Sequence, residues 1–366
     1  MKNTFGNSVT LTLFGESHGV QIGAVLDGLA PGIEIDEEYI KKKLSQRRPA
    51  GKISTPRVEA DDFRIISGVY NGKTTGSPLA ITIENTNTQS GDYDVLRETA
   101  RPSHADYTAF LKYHGFNDTR GGGHFSGRIT APVTAAGAIL QNALRKKGIF
   151  IATHIKECAN ISDRDFDDIK KDADYLDNAD FAVLDEEASK KMKLEIENAK
   201  AEGDSVGGIL ETVILGVPQG IGEPWFDTLE GVLAHALFSI PAVKGVEFGA
   251  GFAISSMRGS KANDAFRVKD GKIITTTNNS GGINGGISNG MPIIFRCAVK
   301  PTPTIFKSQE TVNFVEHENV TLTPHGRHDP CIVHRARVVA DSIAALCISD
   351  MLALRFGTDF LAEVEE

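Results

Sequence analysis

Apolar positions fall into short runs broken by glycine, which predict strands, and into longer alanine- and leucine-rich stretches, which predict helices. Residues 9–14 read as an early strand, and the apolar run 22–26 in a glycine-punctuated segment reads as a second. Asp36 is placed to cap a helix that runs to about residue 44. Residues 65–69 and 79–83 read as further strands with turn signals between them. The segment 130–146, rich in alanine with leucines at helical spacing, predicts a long buried helix, and 341–354 looks like its counterpart. Between them, 163–202 is polar and helical in its second half, where Met192, Leu194 and Ile196 offer a thin apolar edge, so it reads as a surface excursion. The loops 46–62, 85–101 and 307–326 are long and basic or glycine-containing, as lids and binding loops are.

The chain also echoes itself. Gly15-Glu16-Ser17-His18-Gly19 is followed by Val25-Leu26, Gly28 and Gly32-Ile33; Gly203-Asp204-Ser205-Val206-Gly207 is followed at a constant offset by Val213-Ile214, Gly216 and Gly220-Ile221. Weaker echoes pair Gly76-Ser77-Pro78 with Gly290-Met291-Pro292, and Arg128 with Arg335 ahead of the two long helices. The expectation is one domain, 1–366, with pseudo-equivalent halves at about 8–150 and 203–355 around an approximate two-fold axis, and a charged helical excursion at about 160–202. Chemistry is expected in the first copy, because His18 becomes Val206 in the second.

Composition narrows the class. With 40% hydrophobic and 24% charged residues over 366 positions, the chain can bury a large core. No apolar run nears the roughly 20 residues that cross a bilayer, and the polar first residues lack a signal-peptide stretch, so a cytoplasmic enzyme is expected. Cys158, Cys297, Cys331 and Cys347 lack the close spacing of a zinc site or a disulfide framework and read as buried thiols. A net charge of −9 disfavours nucleic acid and anionic membrane as partners. Yet arginines gather, mostly beside glycine, proline or histidine, at Arg47, Arg48, Arg57, Arg101, Arg120, Arg128, Arg327, Arg335 and Arg337, which points to local anion sites.

Five clusters carry chemistry. In Phe14-Gly15-Glu16-Ser17-His18-Gly19, a strand end meets a glycine turn where His18 suits a general acid; a histidine that merely fills a turn is the alternative. In Arg101-Pro102-Ser103-His104-Ala105-Asp106, Asp106 can orient His104, or Ser103 and Asp106 can simply start a helix. Arg120-Gly121-Gly122-Gly123-His124-Phe125-Ser126-Gly127-Arg128, ahead of a helix, suits an anion or is a flexible turn, and its spacing is not a dinucleotide fingerprint. The segment Lys300-Pro301-Thr302-Pro303-Thr304, preceded by the glycines around Gly285, lets backbone approach a ring or a phosphate, or is a stiffened turn. In His325-Gly326-Arg327-His328-Asp329-Pro330, a metal triad is disfavoured by the proline-interrupted spacing.

Together and in this order, these five segments resemble the chorismate synthase family, from Thr4 to about Leu354. The resemblance implies an α+β fold with helices sandwiched between antiparallel β-sheets, a homotetramer, and a lyase that eliminates phosphate from 5-enolpyruvylshikimate-3-phosphate with reduced FMN and no net redox change. By resemblance, His18 is the acid for the leaving phosphate with Ser17 beside it, His104 protonates the reduced flavin near N1, and Asp329 helps flavin N5 take the C6 proton. The substrate falls to Arg48, Arg128 and Arg335. The flavin falls to His124, Phe125, Ser126, Pro241, Ala242, Gly285, Lys300, Pro301, Thr302, Pro303, Thr304 and Arg327, and an NADPH reductant to Arg47 and Lys52. This chain departs from many members at His124-Phe125, where they carry Arg-Ser, at Pro241, where they carry asparagine, and at Asp341, where they carry glutamate. Rival readings are a phosphatase or phosphotransferase, which lacks a clear nucleophile here, and a flavin or anion carrier.

Overall fold

The computed structural model describes residues 2–49, 51–55, 60–86, 97–324 and 329–362. Apolar residues on alternate strand positions build two five-stranded antiparallel sheets. The first joins β1 (Thr4–Phe5), β2 (Thr10–Gly15), β3 (Gln21–Asp27), β4 (Phe63–Ser67) and β5 (Leu79–Glu84) in the order β1-β2-β3-β5-β4. The second joins β6 (Phe150–Cys158), β7 (Ile161–Ser162), β8 (Gly208–Leu215), β9 (Val243–Phe248) and β10 (Ile293–Val299) in the order β9-β10-β8-β6-β7. In β3 and β5, Ile22 pairs with Ile83, Ala24 with Ile81 and Leu26 with Leu79, so one face of the sheet is wholly buried.

Helices lie between the sheets and around them. These are α1 (Glu37–Arg47), α2 (Asp106–Tyr113), α3 (Thr130–Lys146), α4 (Ile169–Asn178), α5 (Glu186–Ala201), α6 (Leu229–Leu237) and α7 (Val333–Phe356). α3 lies on β3 and β5, α7 lies on β6 and β8, and the two helices pack on each other, which gives sheet, helices, helices, sheet. Small residues set the crossing distance: a Cβ on Gly137 of α3 would stand 2.2 Å from Ser342 Cβ of α7. No helix among the described residues is long and apolar enough to cross a membrane, and the four cysteines are buried and free.

Four expectations are corrected. The strand expected at 65–69 ends at Ser67, because Gly68 turns the chain at φ 83 and Val69 starts a separate hairpin. The first helix runs three residues beyond 44, to Arg47. The last long helix starts at Val333 instead of 341; its basic first turns read as loop, but Arg337 is buried and donates to Leu176 O at 3.2 Å, capping the end of α4. Residues 163–202 form two helices and are more than a surface excursion. α4 covers the outer face of the second sheet with Ala173 and Leu176 against Ala152 and Val213, and α5 buries Met192 and Ile196, four apart, while Leu194 points to solvent. Asp177, at the end of α4, sits 2.7 Å from both Lys43 of α1 and Arg145 of α3.

Candidate active site

β2 ends at Gly15, and the turn into β3 carries Ser17 and His18, both buried. The Ser17 backbone N–H donates to Gly123 O at 3.1 Å. The Ser17 hydroxyl lies 3.2 Å from Arg120 O and 3.1 Å from His18 Nδ1. A hydroxyl that donates to the carbonyl is left as an acceptor for a ring N–H, which favours a proton on Nδ1. Only glycine fits opposite. Gly121 has φ 62, and a Cβ there would come 2.0 Å from His18 Cε1.

The same glycines back a second histidine, since a Cβ on Gly122 would lie 3.3 Å from His104 Cε1. Asp106 is the first residue of α2 but caps nothing. Its carboxylate instead takes a fork from Arg101, at 2.8 Å to Nε and 2.7 Å to Nη2, and stands 2.9 Å from His104 Nδ1. Burial alone would raise this carboxyl's pKa; Arg101 and His104 hold it well below the ordinary range, so it stays charged and fixes the His104 ring. His104, Asp106, Arg120, Gly122 and Phe125 line a cavity of about 380 Å³, of a size that suits a small ligand. Lys300 reaches this loop, with Nζ 2.5 Å from Ser103 O, and its backbone N–H donates to Ala242 O at 2.9 Å. Burial lowers the Lys300 pKa.

The arginines form one connected network. Arg47 is buried at the end of α1 and pairs with Asp61 at 2.6 Å; Arg128 pairs with the other oxygen of Asp61, and Arg48 Nε stands 3.7 Å away. Arg128 also donates to Asn85 Oδ1 at 3.1 Å and Glu84 O at 3.2 Å. Asn85 Nδ2 donates to Glu16 O and Gly19 O, both at 2.9 Å, so this amide ties the His18 turn to the arginines. Arg335 donates to Arg47 O at 2.8 Å and pairs with Asp329, whose Oδ1 accepts from the Thr55 N–H at 2.9 Å.

The remaining expected residues divide. Ser126 accepts from the Arg128 N–H at 3.2 Å, and His124 Nδ1 contacts Gly15 O at 2.7 Å, so both steady the turn. Phe125 is half-exposed, edge-on to Tyr113 with ring centroids 6.0 Å apart. Thr302 O accepts from Ser205 Oγ at 2.7 Å and Thr304 is buried, while Pro301 and Pro303 stiffen that segment. Gly285 has φ 62 with open space where a Cβ would be, and Lys52 O accepts from Lys200 Nζ at 2.7 Å. Arg327 lies outside the described residues, as do His325 and His328. No group of possible metal ligands occurs among the described residues. Sequence reasoning missed Asp61 and Asn85. Both lie in loops expected to bind ligand, Asp61 near the end of 46–62 and Asn85 at the start of 85–101, but nothing singled out either residue within its loop.

A family model described as chorismate synthase matches residues 9–353. The chain is 45% identical over 350 residues to the chorismate synthase of Thermococcus kodakarensis, covering 96% of this chain and 97% of that one. It is 47% identical over 361 residues to that of Dehalococcoides mccartyi, covering 98% of each. A solved structure titled "Crystal Structure of Chorismate Synthase" superposes with a TM-score of 0.75 at 28% identity, over 96% of this chain and 94% of that one. The likeness spans both sheets and every segment of the site described above, and the chain belongs to the chorismate synthase family.

Proposed function

We infer that this chain catalyses the 1,4-elimination of phosphate from 5-enolpyruvylshikimate-3-phosphate to give chorismate, a carbon–oxygen lyase step of the shikimate pathway and aromatic amino acid biosynthesis. Family membership over nearly the whole chain supports the activity. The observation that carries the residue assignment is the buried Ser17–His18 pair, packed against Gly121 and joined through Asn85 to Arg128.

The substrate brings two carboxylates and a phosphate, so its binding needs several guanidinium groups; Arg48, Arg128 and Arg335 are assigned to it, with Arg47 behind them. As the C–O bond breaks, charge builds on the phosphate. His18, with Nδ1 against the Ser17 hydroxyl, delivers its proton from Nε2, and its burial keeps water from competing. His104, held at Nδ1 by Asp106, exchanges a proton at Nε2. Asp329, paired with Arg335, is assigned as the carboxylate nearest the proton lost from C6.

Reduced FMN, when bound, supplies an electron transiently and recovers it. His124, Phe125, Ser126, Pro241, Ala242, Gly285, Lys300, Pro301, Thr302, Pro303, Thr304 and Arg327 are assigned to hold it. The residues fit such a group in two respects. Thr302 Oγ1 is buried without a hydrogen-bond partner, and Gly285 leaves open space beside the backbone. Of the two residues assigned to an NADPH reductant, Lys52 is exposed, whereas Arg47 is buried against Asp61, so Lys52 carries that proposal. A homotetramer in the cytoplasm completes the reading; exposed Trp225, Phe226, Phe252 and Phe266 supply apolar surface for subunit contacts.

The reading is tested by anaerobic incubation of the protein and reduced FMN with the substrate, following chorismate absorbance and free phosphate together. Equal amounts of both support elimination. Phosphate without chorismate would identify a phosphatase instead.

A further inference from the structure

Asp61 sits inside the arginine cluster with no exposed side-chain surface. One oxygen is 2.6 Å from Arg47 Nη2, the other contacts Arg128 Nη1, and Arg48 Nε is 3.7 Å away. Each oxygen thus takes one guanidinium, as a carboxylate of a bound anion would. Burial alone would raise the pKa of this carboxyl; Arg47 and Arg128 hold it below the ordinary range, so it occupies the cluster as a full anion. Its backbone is left-handed, at φ 52, a conformation that a residue with a side chain keeps only when its surroundings enforce it. The ion pairs to Arg47 and Arg128 are that enforcement. Asp61 and Arg48 border a cleft of about 600 Å³, together with Asp62, Phe63 and the α1 residues Glu37, Glu38, Lys41 and Lys42, so Asp61 has open space beside it.

We propose that Asp61 is an internal carboxylate surrogate, which holds Arg47, Arg48 and Arg128 in the substrate-free protein and is displaced when the anionic substrate arrives. This rests on the functional reading given above. Charge argues for displacement over coexistence. Among the described residues, the carboxylates that stand against Arg47, Arg48, Arg128 and Arg335 are Asp61 and Asp329. Adding a trianion beside a buried carboxylate brings like charges together in a low-dielectric site, which is unfavourable. Moving Asp61 away opens one position on each of Arg47 and Arg128 to the substrate's own anionic groups. The device also selects: a ligand with one negative charge cannot replace what Asp61 already provides, whereas one with several can. Asp61 therefore acts as a specificity-determining residue without touching the reacting atoms.

Calorimetric titration of 5-enolpyruvylshikimate-3-phosphate into protein carrying oxidised FMN measures binding without turnover. Asp61→Asn is expected to bind about tenfold more tightly than the unaltered protein, and with a steeper loss of affinity as salt is added. Hydrogen–deuterium exchange on the unaltered protein supplies a readout that needs no variant: the segment 60–66 is expected to exchange faster once substrate is present. Equal or weaker binding by Asp61→Asn, or a segment 60–66 that becomes more protected with substrate, overturns the surrogate role and leaves the functional reading intact. An unaltered protein that does not bind the substrate overturns that reading and the surrogate with it. Should the Asn variant fail to fold, the exchange measurement decides alone.

Discussion

At the scale of residues, the site depends on glycine as much as on histidine. Gly121→Ala places a methyl group where the His18 ring lies, with a built Cβ 2.0 Å from Cε1, on a backbone that L-residues avoid. Turnover is expected to fall by at least about a hundredfold, the scale of losing a positioned acid, while FMN binding measured by flavin fluorescence stays within about threefold. His18→Ala is expected to produce the same split without the backbone strain. If either variant turns over normally, His18 is not the acid.

Acid stability belongs to the residue scale too. Burial pushes the His334 pKa down from 6.5 to about 4, while Ser54 Oγ stands 2.8 Å from its Nε2. Below 6.5 the unfolded chain binds a proton that the folded protein refuses, so stability falls as pH drops from 6.5 toward about 4. His154 has the opposite sign. Burial alone would lower its pKa, but Asp163 at 2.7 Å and Glu211 at 3.1 Å raise it, so its contribution is complete below the ordinary value and is lost as pH rises through the elevated one. Urea midpoints are expected to decline on both sides of about 6.5, with His334→Gln flattening the lower limb and His154→Gln the upper one. An unchanged lower limb in His334→Gln would show that the titration lies elsewhere.

Whereas the backing by Gly121 and Gly122 comes from a separate segment, His18 was legible from the glycine turn that flanks it and His104 from the Arg101 and Asp106 beside it. Asp61 and Asn85 were not, because each works across the fold: Asn85 joins residues of two segments, and Asp61 answers arginines brought from α1 and the start of α3. His124 was expected at the flavin, and the structure engages its Nδ1 with Gly15 O.

At the scale of elements, the α3–α7 contact and the ion cluster beneath α1 hold the layers together. Gly137→Val drives side-chain atoms into Ser342 and is expected to cost about 1–3 kcal/mol, read as a lower urea midpoint at unchanged slope. Asp177→Ala strands Lys43, whose side chain is 1% exposed, and is expected to cost about 3–5 kcal/mol in the same measurement. If it costs less than about 1 kcal/mol, α4 is the solvent-side excursion that its charged sequence suggested. α3 was legible to its ends, since nearly every position in it prefers a buried helix. α4 and the first turns of α7 were not, because their charged residues have buried partners that only the tertiary structure supplies.

At the scale of the whole molecule, the two sheets repeat one plan. Read from opposite edges, β2-β3-β5-β4 and β6-β8-β10-β9 have the same order, with α1 and α6 after the corresponding strands and α3 and α7 closing each half. This supports, as a proposal, an internal duplication, with the second copy beginning at β6, about residue 150, ahead of the expected 203, and with α4 and α5 inserted after its first strand; superposing the halves tests it. The two copies have diverged in chemistry. Ser17 and His18 face the glycine loop in the first, while Ser205 in the second donates to Thr302 O at 2.7 Å. Light scattering is expected to give four times the chain mass, and a monomer would remove the proposed tetramer.

The measurement that bears most directly on the central claim is anaerobic turnover of 5-enolpyruvylshikimate-3-phosphate with FMN supplied either chemically reduced or oxidised. The account predicts chorismate and phosphate in equal amounts with reduced FMN and neither with oxidised FMN. Phosphate release at the same rate in both arms, or no chorismate with reduced FMN and folded protein, would contradict it.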